Sequence, residues 1–399
     1  MKITVGQKVL WDPVKIKARD WILMAGLTLA PMTSLRIWKI GPGEILCLLW
    51  GIKYLFSSRI KHNDIIFFFI LFIPALGLGS LAGYSIAPNE LSVGDILTWI
   101  YFGVIAVSIF NGLKRNSQEY NDRLLCLFAT IAMLWYLFLF LYSRYISRSF
   151  LGVPLWYSGR RFSGGATNPH QIAVLLCALF FIFIRQILSK RNVLISIFGL
   201  AVSLFLIIGT ESSTAIMSVA LGIIIGAYFF VGAHAGKNKK RIMLIMSLII
   251  LIVTIAGFSA FLELFTRWIE KDSNGLGRLY IFASFPRTFI KSPIVGLGPG
   301  AHGGNGLIEF HNTYLEVLAA TGMLGGTIFL VFSIRIFKKA ITADWKLFLI
   351  IISMYAYGFA GFAMRRLVYW GIIAFVVVIA EQGVEQSTSG ARCGNPKRM

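Results

Sequence analysis

Long apolar runs recur along the whole chain, separated by short polar breaks. About 20 apolar residues carry a helix across a bilayer, and reading the runs between their breaks gives twelve candidate spans. They lie near 20–35, 40–57, 64–83, 93–112, 124–142, 169–188, 193–209, 214–232, 241–262, 313–334, 344–363 and 367–381. No soluble domain interrupts them, so residues 1–399 read as a single integral membrane domain, all-α and polytopic. The first run follows Lys2, Lys8, Lys15, Lys17 and Arg19 without a small-x-small cleavage site, which marks it as an uncleaved anchor.

Composition sharpens this picture. Of the 399 residues, 57% are hydrophobic and 14% charged, whereas a soluble domain is about 45–50% apolar with about a quarter charged. A soluble enzyme and a disordered protein are both excluded. Cys47, Cys126 and Cys177 fall inside apolar runs and Cys393 in the polar tail, so neither a disulfide framework nor metal-ligand spacing is visible.

The net charge of +21 matters through its distribution. An even number of spans puts both termini on one side. That side, with its loops and a tail of about 382–399, holds 25 of the 38 Lys and Arg residues, and the opposite side holds 13. The positive-inside rule makes the richer side cytoplasmic. Clusters such as Lys237, Lys239, Lys240 and Arg241 are then topology anchors, and no nucleic-acid partner is implied.

The basic residues on the poorer side carry more information. The loop at about 143–168 contains Arg144, Arg148, Arg160 and Arg161 with no acid. The longest connection, about 263–312, contains Arg278, Arg287 and Lys291 in its middle, and a short turn carries Arg365 and Arg366. Lipid headgroups or scattered acids account for such charges on one reading. On the other they line an outward-facing cavity for an anionic lipid-linked substrate, since arginine makes bidentate contacts to phosphate oxygens.

Three of the five histidines, His170, His302 and His311, also fall on the outer side, with His62 and His234 inside. They lack an H-E-x-x-H pattern or close-spaced carboxylates, so no metal site is expected. Neither a Walker loop nor a dinucleotide fingerprint occurs, and no cofactor is expected. Glu263, Glu270, Asp272 and Glu309 keep a paired-carboxylate arrangement formally open.

The most specific stretch is HNTYLEVLAATGMLG, 311–325, at the start of a span. A histidine at a helix entrance feels the positive end of the dipole, which favours the neutral imidazole that a general base requires. Gly322 and Gly325, three apart, permit close helix contact. The plainer account is that Asn312 or Thr313 caps the helix and His311 is a satisfied interfacial residue.

This segment resembles the O-antigen ligases and the related polysaccharide polymerases. The ligases carry a histidine followed by Asn, Ser or Gln, nine residues, then a Gly-x-x-Gly-like end, as His311, Asn312, Thr313–Thr321, Gly322 and Gly325 do here. GRLYIFASFPRTFIKSPIVGLGPG, 277–300, is similar to the family's outer-loop segment, in which a Gly-Arg pair precedes a helix and a Pro-x-x-Gly-x-Gly turn. Arg278 falls on the functional arginine. RFSGGATNPHQIA, 161–173, resembles the Arg-x-x-Gly…Asn-Pro stretch, with Arg161 and Asn168 matching. One departure stands out: GTESSTA, 209–215, has Ser213 where many members have an arginine. Arg160, Arg161 or Arg365 is then needed for the diphosphate contact expected there.

The resemblance implies a GT-C-like fold of about twelve transmembrane helices with two larger periplasmic loops, in a bacterial inner membrane. It implies a metal-independent, inverting glycosyltransferase whose donor is an undecaprenyl-diphosphate-linked glycan. The acceptor is a lipid A–core sugar hydroxyl in a ligase, or a second lipid-linked repeat in a polymerase. His311 is the expected base and Arg278 the expected catalytic cation, with Arg160, Arg161, Arg287, Asn168 and Asn312 binding substrate. A lipid-linked glycan transporter is the remaining reading. It calls for charges at mid-membrane depth and repeated halves, whereas acids within spans, such as Glu44 and Glu316, sit near span ends.

Overall fold

A computed structural model describes residues 16–37, 40–55, 64–86, 91–256, 275–300 and 310–393. Thirteen α-helices form among the described residues. They are α1 (Asp20–Leu29), α2 (Pro42–Leu55), α3 (Asp64–Ile86), α4 (Leu91–Leu113), α5 (Gln118–Tyr145), α6 (Pro169–Leu188) and α7 (Val193–Gly209). After these come α8 (Ser213–His234), α9 (Lys239–Ala256), α10 (Gly275–Lys291), α11 (Thr313–Ala343), α12 (Trp345–Tyr357) and α13 (Leu367–Cys393). Four two-residue strands, β1 (Ser149–Phe150), β2 (Val153–Pro154), β3 (Trp156–Tyr157) and β4 (Arg161–Phe162), make two small antiparallel hairpins between α5 and α6.

Each of the twelve apolar runs falls on a helix, but apolar run length is not helix length. Seven helices are long and apolar enough to cross a membrane: Asp64–Ile86, Val93–Leu113, Gln118–Tyr145, Pro169–Leu188, Ser213–His234, Thr313–Ala343 and Leu367–Gln386. Seven of the twelve expected spans are thus candidates among the described residues, and a count of twelve is not shown. The other five helices fall short for local reasons. α1 stops ahead of Pro31, which has no N–H with which to continue the ladder, and its 10 residues rise about 15 Å, half the hydrocarbon thickness. α12 has 13 residues and ends at Gly358, and α2 has 14 and begins at Pro42. α7 has 17 residues and ends at the Gly209–Thr210 turn. α9 opens with Lys239, Lys240 and Arg241. The expected tail from about 382 is helical through Cys393.

The helices at the centre are α6 and α13. α6 and the membrane-length part of α13 are each buried over 83% of their most apolar stretch, against 28% for α8. α13 packs on α4, α5 and α11, and α6 packs on α5, α7, α8 and α12. Lipid tails are as apolar as leucine, so these contacts rest on close packing and polar links rather than on a hydrophobic gain. One such contact is an aromatic knot in which Phe68 of α3 stacks on Phe72 and meets Phe332 of α11 and Trp370 of α13 at 4.6 and 5.2 Å.

Polar networks tie together one end of the bundle. Arg185 at the end of α6 contacts Asp122 near the start of α5 and Asp344 between α11 and α12, at 2.9 and 3.2 Å. Arg191 joins Asp122 at 2.7 Å. Lys339 bridges Asp64 and Glu381, and Lys114 reaches Glu381. These partners satisfy several of the basic residues of the charge-rich side. The hairpins and the starts of α6, α8 and α11 lie at the opposite end, the loop end.

Candidate active site

The loop end is assembled from helix starts. Asn312 is the N-cap of α11: its Oδ1 accepts the N–H groups of Tyr314 and Leu315 at 2.9 and 3.1 Å. Its Nδ2 donates to the Phe359 carbonyl at 2.8 Å, so the whole amide holds the helix entrance in place. Thr313 donates its N–H to the Gly358 carbonyl and its hydroxyl to the Gly361 carbonyl, both at 2.8 Å. The start of α11 is thereby fixed to the end of α12. His311 stands immediately before the cap, half-buried, with φ at +50°. Left-handed backbone at a histidine costs about 1–3 kcal/mol and persists only where its surroundings enforce it. The preceding residue supplies the enforcement. Phe310 is fully buried, its N–H is accepted by the buried Glu316 carboxylate at 3.0 Å, and its ring meets Phe285 of α10 at 5.6 Å.

α10 is held at this point by the segment that succeeds it, 292–298. Gly322, expected to sit on a helix face, instead breaks the helix, with φ 59° and ψ −159°. The break frees two carbonyls and two N–H groups, and the segment after α10 takes up all four. Leu297 and Gly298 donate to the carbonyls of Ala319 and Ala320 at 2.8 and 2.9 Å. Met323 and Leu324 donate to the carbonyls of Pro293 and Ile294 at 2.8 and 3.0 Å. The Pro-x-x-Gly-x-Gly turn is thus a strap laid across α11. Its approach leaves no room for side chains, since a Cβ on Gly296 would lie 2.4 Å from the Ala320 carbonyl carbon. Buried polar backbone demands such complete pairing.

The hairpins position the second basic group. Trp156 and Phe162 pack around Phe140 of α5, which also meets Phe205 of α7 at 4.9 Å. This fastens β3–β4 over the end of α7, where Arg161 donates from Nε to the Thr210 carbonyl at 3.1 Å. Asn168 caps α6, its Oδ1 accepting the His170 N–H at 2.9 Å. His170 then meets Tyr357 Oη at 2.9 Å and the Ser212 hydroxyl at 3.3 Å through Nδ1.

The structure therefore brings Arg161, Asn168, His170, Asn312 and His311 to one end, linked through Thr210, Ser212, Tyr357 and Gly358. Arg160 is exposed on the β3–β4 turn. Arg287 is exposed on α10, on the face opposite Ile281 and Phe285, which pack toward Phe310. Position 278 is three, four and seven residues before Ile281, Phe282 and Phe285, on the face that packs. The Arg278 side chain lies outside the described residues, as do His302 and Glu309 with the rest of 301–309. Among the described residues no carboxylate pairs with Arg160, Arg161 or Arg287. Arg365, by contrast, is ion-paired with Asp95 at 2.5 Å, and so is a poor substitute for the arginine missing at Ser213.

Just beneath the start of α11 lies an apolar cavity of about 550 Å³, lined by Leu221, Tyr314, Val317, Phe329, Tyr355 and Phe359 among others. Its roof is the Tyr314–Phe359 ring pair, 4.6 Å apart, the same two residues that the Asn312 amide joins. Sequence reasoning missed Tyr357 and the latching role of Glu316. Tyr357 sits at the end of an apolar run and carries no local signal. Glu316 sits four residues after the cap, one later than the capping-box position.

Residues 198–330 match the family model described as O-antigen ligase. This segment is similar to the O-antigen ligase family. The matched stretch contains the Ser213 departure, Arg278, the strap, His311 and the Gly322 break, while Arg161, Asn168 and His170 precede it. The site thus joins elements of the matched segment to elements outside it. No curated protein matches the chain.

Proposed function

We propose that this protein transfers a glycan from undecaprenyl diphosphate to a sugar hydroxyl of lipid A–core, at the periplasmic face of a bacterial inner membrane. The observation that carries the reading is the O-antigen ligase match over 198–330, which includes both Arg278 and His311. It is supported by the packing of α10 against the turn that holds His311, and by the apolar cavity beside that turn, suited to lie next to a lipid-borne substrate.

In the proposed reaction the acceptor hydroxyl attacks the anomeric carbon as the bond from that carbon to the diphosphate oxygen breaks. His311 takes the hydroxyl proton, and the anomeric centre inverts. The bond-breaking electron pair leaves with the diphosphate, where Arg278 and Arg161, with Arg160 and Arg287 farther out, stabilise the growing charge. Donor activation is already present in the diphosphate, so neither a nucleotide nor a metal is given a step. Asn168 and Asn312 shape the two helix entrances that flank the substrate.

The test is reconstitution of the purified protein with lipid-linked glycan and two acceptors, core lipid and a second lipid-linked repeat. Consumption of core lipid is the expected result. Consumption of the second repeat alone would make the protein a polymerase, and consumption of neither would refute glycan transfer.

A further inference from the structure

We propose that His170 is a positioning residue for this reaction, holding the Arg161 side of the site in register with the His311 side; the proposal rests on the function proposed above. Tyr357 has one hydroxyl proton, which goes to the His170 carbonyl at 3.0 Å. Its oxygen can then only accept from the His170 ring, so Nδ1, 2.9 Å away, carries the proton. The Ser212 hydroxyl lies 3.3 Å from the same Nδ1 and accepts the Ala215 N–H at 3.4 Å as the cap of α8. One N–H is thus shared between the start of α8 and the end of α12, from a ring whose own backbone is locked by Asn168.

The two acceptors lead to the two halves of the site. Ser212 is two residues beyond Thr210, whose carbonyl takes Arg161 Nε at 3.1 Å. Tyr357 precedes Gly358 and Phe359, whose carbonyls take the Thr313 N–H and the Asn312 amide at 2.8 Å each. Arg161 and His311 are therefore joined through the His170 imidazole. Departure of the diphosphate from the anomeric carbon and attack there by the hydroxyl that gives up its proton must be coordinated, and a displacement of about 1 Å between the groups that serve them costs on the order of 10²-fold in rate. A merely space-filling histidine would show no dependence on which ring nitrogen its replacement imitates.

That difference is the test. The Asn amide nitrogen falls where Nδ1 sits, whereas the longer Gln side chain places its amide where Nε2 sits. Turnover and KM for lipid-linked glycan are measured for wild type, His170→Asn, His170→Gln and His170→Ala, each shown to be folded in detergent. Wild type without turnover on either acceptor would sink the proposed function and leave the variants unneeded. With active wild type, His170→Asn is expected to keep kcat within about threefold, and His170→Gln and His170→Ala to lose about 10²-fold in kcat with KM little changed. Equal loss in all three would overturn the Nδ1 role, as would near wild-type turnover in all three or a loss confined to KM. If His170→Ala does not fold, the Asn-against-Gln comparison decides alone.

Discussion

The left-handed backbone of His311 puts strain at the residue proposed as the base. Phe310 is held from one side by Glu316 and Asn312 from the other by Phe359, so the His311 backbone between them is fixed in place. A base held this way is expected to contribute to rate and little to donor affinity. His311→Ala should lose about 10²–10⁴-fold in turnover while donor binding, followed by isothermal titration or by retention on lipid-linked glycan, stays within a few fold. Loss of donor binding instead would make His311 a phosphate ligand. The arginines should separate by helix face. Arg278→Lys keeps the charge but removes the planar fork, and should weaken donor binding. Arg287→Ala, on the outward face of α10, should change it much less. In the proposed reaction arginine carries the neutralisation, so turnover should survive exhaustive chelation, and a loss restored by Zn²⁺ or Mg²⁺ would contradict that assignment. Asn312 as a cap and His311 at the entrance were legible in the sequence because capping is a local pattern. Tyr357 and the Phe310–Glu316 latch were not, since each depends on contacts whose partners the neighbouring residues do not specify.

At the scale of elements, the strap decides where α10 goes. A continuous α11 would satisfy its own backbone and leave 293–298 with unpaired groups. The break at Gly322 exchanges four intrahelical partners for four in the strap, so neither segment folds this way without the other. Gly322→Ala therefore has two costs. Its φ of +59° is strained for any side chain, worth roughly 1–3 kcal/mol, and the new Cβ would meet the Ile294 carbonyl 2.4 Å away. The thermal midpoint in detergent should fall clearly. Gly77→Ala is the matched control: it lies inside α3 with nothing within 4 Å of the added carbon, and Ala there is favoured over Gly by roughly 0.5–1 kcal/mol. Equal midpoints for the two variants would mean that the strap does not hold α11. The sequence carried the apolar runs and the glycines, and it located every run that became a helix. It did not carry the break, because Gly-x-x-Gly reads equally as a helix contact face. It did not carry the helix ends at Leu29 and Tyr357 or the start at Pro42, because Pro31, Pro42 and Gly358 bound helices inside or beside uninterrupted apolar stretches.

At the scale of the whole molecule, access to substrate depends on which side of the membrane each end faces. The loop end gathers Arg160, Arg161, His170 and His311, while the other end gathers the Asp122–Arg185–Arg191 and Asp64–Lys339–Glu381 networks. Positive charge retained on the cytoplasmic side would put the loop end on the opposite face, as the proposed function requires. The internal acids that pair with Arg185 and Lys339 do not alter this inference, because the orienting bias counts Lys and Arg rather than net charge. Reporter fusions make the assignment measurable. Phosphatase activity, which requires export, is expected for fusions at Tyr157 and Asn274, and fluorescence of a cytoplasm-only reporter is expected for fusions at Lys239 and the C-terminus. Tyr157 is on the β3–β4 hairpin beside Arg161, so it reports the site itself, while Asn274 immediately precedes α10 and tests the strap-bearing segment independently. Agreement between these two positions is required, since α10 and the hairpins serve one site only if they share a face. A cytoplasmic signal at both would place Arg161 and His311 away from periplasmic core lipid and remove the proposed acceptor. A cytoplasmic signal at Asn274 alone would detach α10, and with it Arg278, from the site.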